Sequence, residues 1–267
     1  MHTPSVYDHL AAGYLSPGRR STTTVFRELQ HAPIRELLQK VVHRGQYYSD
    51  MRYLIVGAGP LGNADELVHA HQLVGPYLDE MDPSHITYLD ASSVVLAHCK
   101  EFVWGVVGKL FSGKQPGVFV GGFAETLGKS VPDGSQDVVL GALCDHFEPD
   151  DFFSSSMQVL KPGGVLITTY PADGINRVVR KRIYKIPTSR TRFVIDGEEH
   201  LVPSYLMTEA RLRELYAQHG FEHVGTKAIV CGLHLPSETL KQAARLLNRP
   251  IELLPVLVAG IGYKPKA

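Results

Sequence analysis

An α/β domain built on a parallel sheet is predicted by three features of this sequence. Five short apolar runs occur, the first four ending in glycine or aspartate, helix-length segments separate them, and a polar, basic stretch follows the fifth run. The first run is Tyr53-Leu54-Ile55-Val56, which enters Gly57-Ala58-Gly59-Pro60-Leu61-Gly62 and then a segment with helical spacing. The second, His85 to Leu89, ends in Asp90, and the third, Gly117 to Val120, stops at Gly121-Gly122. Pro132-Asp133-Gly134-Ser135 turns the chain into a fourth, Gln136 to Leu140. Lys161-Pro162-Gly163-Gly164 reads as a tight turn feeding the fifth, Val165 to Thr169. Four successive crossovers imply parallel pairing with helices on both faces.

Outside this core the pattern is also readable. Ile34, Leu37, Leu38, Val41 and Val42 recur at helical spacing, with Pro33 suited to the first turn, so an amphipathic helix precedes the first strand. Residues 172 to 204 form an insertion with a hairpin expected at Asp196-Gly197. Thr208 is placed to cap a helix carrying Leu212, Leu215 and Tyr216 that stops at Gly220. A sixth strand at Val224 to Val230, a helix from Ser237 to Asn248 and a last strand near Val256 to Ile261 complete the reading.

Of 267 residues, 44% are hydrophobic and 20% charged, which excludes disorder for the bulk of the chain. The 27 basic residues balance 27 acidic ones, so no global field draws the protein onto nucleic acid or an anionic membrane. Cys99, Cys144 and Cys231 are far apart and lack metal-ligand spacing, which predicts reduced thiols, no disulfide framework and no metal centre. The most apolar stretch, Ile251 to Tyr263, is broken by Pro255 and two glycines and is too short to span a bilayer. Residues 1–50 show no basic-then-apolar signal pattern, so a cytoplasmic location is expected.

Glycines at 57, 59 and 62 leave the backbone bare where a strand meets a helix, so a ligand can approach the main chain and the helix N-terminus. Asp90, ending the next strand, can accept both hydroxyl protons of a ribose, as dinucleotide-binding folds do, or can cap the helix from Ser92 onward.

The chain here resembles the class I S-adenosylmethionine-dependent methyltransferases, and specifically those that act on small molecules. The resemblance is carried by Val56-Gly57-Ala58-Gly59-Pro60-Leu61-Gly62, Leu89-Asp90, Ala124-Glu125-Thr126-Leu127, Pro132 to Leu140, and Val159-Leu160-Lys161-Pro162-Gly163-Gly164-Val165-Leu166-Ile167. It implies a Rossmann-like, mostly parallel seven-stranded sheet whose last strand is antiparallel. It also implies S-adenosylmethionine as cofactor. Gly57, Ala58 and Gly59 would contact its methionine part and Asp90 and Ala91 its ribose. Phe123, Ala124, Glu125 and Leu143 would surround adenine and the cofactor's edge. Two positions depart from the family: Val56 stands where an acid is usual, and Phe123 where an aspartate is usual.

Asp145 and His146 follow the fourth strand, where the resemblance places the junction of cofactor and substrate, and they are the acid/base candidates. Capping of the following helix is their other reading. The segment from Val6 to Tyr14 resembles the lid of such enzymes, with Tyr7 toward the cofactor and Tyr14 toward the chemistry. One domain over 1–267 is therefore expected, with a lid at 1–50, a cofactor-binding core at 51–172, a substrate-side insertion at 173–205 and closing strands and helices at 206–267.

Seven basic residues lie between Arg177 and Arg192 with no acid among them. They could hold an anionic group of the substrate or form a solvated face balanced by Glu198 and Glu199. The expected activity is methyl transfer to an O or N atom of a small metabolite. An RNA or RNA-cap methyltransferase, a nicotinamide-dependent oxidoreductase and an inactive cofactor-binding subunit are the alternatives. Neutral net charge disfavours RNA.

Overall fold

The computed structural model describes residues 51–58, 83–110, 117–195, 197–231 and 238–266, together with Asp8, Ala11, Leu29, Pro33, Ile34, Glu36, Leu37, Val41 and Asp50. Its sheet has seven strands: β1 (Tyr53–Val56), β2 (Ile86–Asp90), β3 (Val118–Gly121), β4 (Gln136–Gly141), β5 (Leu160–Pro171), β8 (Glu222–Val230) and β9 (Pro255–Tyr263). They lie in the order β3-β2-β1-β4-β5-β9-β8. Pairing is parallel from β3 through β5, and β9 runs antiparallel to both β5 and β8. The expected strands are thus present, the last of them antiparallel as the resemblance implies.

Alternation explains why the sheet is buried on both sides. Tyr53, Val138, Leu140, Val165 and Ile167 face one layer, formed with Ile34, Leu37, Val41, Cys99, Val103 and helix α5 (Glu238–Leu247). Leu54, Val56, Val139 and Leu166 face the other, packed by α2 (Pro149–Val159) and α4 (Glu209–Gln218). Phe152, Phe153 and Tyr216 meet there edge to face, with centroids 4.8 Å apart for Phe153 and Tyr216.

Local signals act as read. Thr208 accepts the Arg211 N–H and caps α4, which ends at Gly220 with φ +77°. Pro33, Ile34, Glu36, Leu37 and Val41 are helical, with the apolar three buried and Glu36 turned out to Lys227. The insertion forms a two-stranded hairpin, β6 (Arg190–Ile195) and β7 (Glu198–Pro203), with Gly197 at φ +85°. Leu38, Val42 and the helix expected after the glycine loop lie outside the described residues.

One element differs from its reading. The Lys161–Gly164 segment belongs to β5 rather than to a free turn: Leu160 pairs with Gln136, a bulge follows, and Gly163 and Gly164 exchange backbone hydrogen bonds with Lys264. Among the described residues, no helix is long and apolar enough to cross a membrane, and no cluster of His, Cys, Asp and Glu could hold a metal ion.

Candidate active site at the carboxyl edge of the sheet

The sheet order sets four carboxyl ends side by side, and the direction of strand addition reverses between β1 and β4. That reversal opens the crevice in which doubly wound sheets bind ligands. Register fixes the row: Val56 lies between Leu89 and Gly141, and Asp90 lies beside Gly121. Gly57-Ala58, Asp90-Ala91, Phe123-Ala124 and Leu143 therefore share one edge.

Gly57 has φ +66°, and its N–H and that of Ala58 both donate to the Leu89 carbonyl. A Cβ at Gly57 would lie 2.7 Å from the Phe147 ring, so both backbone angle and space require glycine. Asp90 Oδ1 accepts the Ser92 N–H at 2.9 Å, and the Ser92 hydroxyl caps α1 (Ser93–Leu110) by accepting the Val95 N–H. The Ser92 hydroxyl in turn donates to Asp8 Oδ1 at 2.7 Å, fixing that residue of the expected lid beside Asp90. These bonds hold the Asp8 carboxyl below the usual aspartate range. The capping reading of the second strand's end thus falls to Ser92, while Asp90 steadies the turn and stays half-exposed at the strand end.

Phe123 is half-buried and outside both core layers, so an aromatic surface stands at the end of β3. Ala124 is buried, and its carbonyl accepts the Ser155 hydroxyl at 2.6 Å. Glu125 is half-buried, and its Oε1 accepts the Glu148 N–H at 3.0 Å at the start of α2. Gly59, Tyr7 and Tyr14 lie outside the described residues.

After β4 the chain turns sharply. Leu143 takes a left-handed conformation (φ 55°, ψ 59°), which costs a residue with a Cβ about 1–2 kcal/mol. The bond from its N–H to Thr169 Oγ1 at 2.8 Å holds it there. The turn buries Cys144 completely, and burial pushes that thiol well above its ordinary range, away from nucleophilic use. It then presents Asp145 and His146.

Four bonds strap the end of the insertion onto this turn. His146 Nδ1 lies 2.9 Å from the Pro203 carbonyl, the Ser204 hydroxyl donates to Asp145 Oδ2 at 2.5 Å, the Tyr205 N–H donates to the Asp145 carbonyl, and the Tyr205 hydroxyl donates to Glu148. Hydrogen bonding to Glu148 pushes the Tyr205 phenol up to about 12. Phe193 of β6 packs against the His146 ring, with centroids 5.7 Å apart.

Arg180 completes the arrangement. Helix α3 (Asp173–Val178) widens into a π turn over Val179–Ile183, which aims Arg180 inward. Only 6% exposed, it donates to the Thr188 and Ser204 carbonyls at 2.7 and 2.9 Å and to the Ser204 hydroxyl at 2.6 Å, with NH2 3.8 Å from Asp145 Oδ2. Burial lowers its pKa while Asp145 opposes that shift. The basic run is therefore not one surface: Arg180 is internal, Arg177 pairs with Asp173, and Arg192 lies near Glu199 and over the Tyr184 ring. Asp145 and His146 follow β4, as their place in the sequence predicts, whereas Arg180 stands in the sequence as one cation of a basic run and Ser204 and Tyr205 carry no signal there. Only the lack of helical periodicity after Val178 hinted at an inward-turned cation.

No family model matches the chain, and no curated protein sequence matches it. Solved structures do match it in fold. Magnesium protoporphyrin IX methyltransferase from Synechocystis, solved with bound S-adenosylhomocysteine, superposes with a TM-score of 0.59 at 13% identity, over 97% of this chain and 94% of that one. The Haloferax volcanii complex of the Trm112 methyltransferase activator with a putative methyltransferase gives 0.56 at 14%, over 90% and 93%. A S-adenosylmethionine-dependent methyltransferase from Archaeoglobus fulgidus gives 0.52 at 17%, over 89% and 94%. With the strand order and the row of strand ends described above, these likenesses identify the fold as that of the class I S-adenosylmethionine-dependent methyltransferases.

Proposed function

We propose that the protein is an S-adenosylmethionine-dependent methyltransferase acting on an O or N atom of a small molecule, and that it is a single working domain. The residues at the edge fit the cofactor's chemistry: a half-exposed carboxylate for ribose hydroxyls at Asp90, an aromatic surface for adenine at Phe123, and a tight left-handed turn at Gly57 that ends β1 beside them. When bound, the cofactor supplies an electrophilic methyl group, and its sulfur recovers the bonding pair as the methyl leaves. The chain's own part is to align the acceptor and to remove its proton.

One observation carries the reading: Asp145 and His146 stand together beside the cofactor row, with Nε2 of His146 3.7 Å from Asp145 Oδ2 and the imidazole 22% exposed. His146 takes the acceptor's proton and Asp145 orients the acceptor. The burial of Arg180 and the pairing of Arg177 with Asp173 and of Arg192 with Glu199 favour a small substrate over RNA, because fewer uncompensated cations face a phosphate backbone. The test is methyl transfer from isotope-labelled S-adenosylmethionine into a small-molecule extract. His146→Ala should lower the single-turnover rate by about 10²–10⁴ while S-adenosylhomocysteine affinity holds. Labelling of capped RNA instead, lost as salt rises, would replace the substrate class.

A further inference from the structure

The strapped turn fixes the chemistry that the site offers. A carbonyl oxygen only accepts, so the 2.9 Å contact with Pro203 requires the proton of neutral His146 to sit on Nδ1. Nε2 is then a bare acceptor. Asp145 Oδ2 is committed to Ser204 and faces Arg180, while Oδ1 takes no hydrogen bond from the described residues. Cys144, Tyr170 and Arg180 act electrostatically on Asp145, and Glu125 and Glu148 lie around Tyr205, their bonds to the scaffold coming from the Glu148 N–H and the Tyr205 hydroxyl. Arg180 is buried and already donates to Thr188 and Ser204, while the exposed Arg190 acts on Tyr205.

We propose that Arg180 and Ser204 are positioning residues that make the Asp145–His146 turn a hydrogen-bond acceptor on both side chains, so that the methyl-accepting group is a proton-bearing hydroxyl or amine rather than a carboxylate or phosphate. Arg180 acts by clamping the Thr188 and Ser204 carbonyls, which holds Pro203 against His146. Ser204 acts by passing the arginine's polarisation to Asp145 Oδ2. A hydroxyl or amine donates to Asp145 Oδ1 or His146 Nε2. As its oxygen or nitrogen forms the new bond to carbon, its proton passes to Nε2. A carboxylate acceptor brings no proton and meets two acceptors at hydrogen-bond range, which repel it.

This inference rests on the methyltransferase reading, and its test separates the two. Protein carrying ¹⁵N-labelled histidine is saturated with S-adenosylhomocysteine, and the His146 ring signals are assigned by their loss in His146→Gln. We expect the Nδ1-protonated tautomer, loss of that single tautomer in Ser204→Ala, its recovery in Ser204→Thr, and its loss in Arg180→Met. Arg180→Lys, which keeps the charge but not the fork, should weaken it. A wild-type ring protonated on Nε2, or a signal indifferent to both positions, overturns the proposal even where S-adenosylhomocysteine binds. Absence of that binding instead removes the methyltransferase reading. In the labelled extract, ethers or N-methyl products support the inference, and methyl esters overturn it.

Discussion

Replacement of Asp90 isolates the cofactor contact from the fold. In the structure Asp90 does two things: it accepts the Ser92 N–H through Oδ1 at 2.9 Å, and it stands half-exposed at the carboxyl end of β2. Asp90→Ala removes both. The turn bond is worth about 1 kcal/mol of stability, and the charge-assisted bonds to a ribose about 1.5–3 kcal/mol of affinity. At about 1.4 kcal/mol per factor of ten, S-adenosylhomocysteine should bind roughly 10- to 150-fold more weakly. Asp90→Asn keeps an amide oxygen for the Ser92 N–H but not the ionised acceptor. It should therefore melt like wild type and still lose about tenfold in affinity. Calorimetric titration and thermal melting on both variants give the two quantities separately. Affinity within about twofold of wild type in Asp90→Ala and Asp90→Asn would refute the assignment of Asp90 to the cofactor.

Three further outcomes follow from the packing. Gly57→Ala meets a left-handed backbone angle and the Phe147 ring at 2.7 Å, and should cost about 1–2 kcal/mol or more in urea unfolding; an unchanged midpoint would contradict the strand-end geometry. Arg180→Met leaves Asp145 buried without its cation and should cost about 3–5 kcal/mol, much of it recovered in the double variant Arg180→Met/Asp145→Leu; a double variant no more stable than the single one would deny the pairing. The Tyr205 phenol holds its proton more tightly folded than unfolded, so the Tyr205–Glu148 strap contributes fully below the ordinary tyrosine range and is lost as pH rises through about 12. Difference titration of tyrosinate absorbance against Tyr205→Phe should reveal this late-titrating group, and its absence would place Tyr205 away from Glu148.

The first four strands were legible because each announces itself twice, by an apolar run and by the glycine or aspartate that ends it. Thr208 and Gly220 were legible because a cap and a stop act through a single residue. The site was legible only where position along the sheet determines it: Asp145 and His146 follow β4, and Asp90 ends β2. Leu143 carries no mark of its left-handed angle, since that angle is imposed by Thr169 on the neighbouring strand. Arg180 looked like one cation in a basic run, because its burial depends on a π turn and on carbonyls 8 and 24 residues away. Glu125 reads as a ligand contact by motif, and its bond through Oε1 to the Glu148 N–H, 23 residues away, has no mark in the sequence.

The central claim is that this sheet edge holds S-adenosylmethionine rather than a dinucleotide, and the most direct measurement is calorimetric titration of the unmodified protein with S-adenosylhomocysteine and, separately, with NAD. Saturable one-to-one binding of S-adenosylhomocysteine is expected, with no heat of binding from NAD. Saturable NAD binding with none from S-adenosylhomocysteine would contradict it.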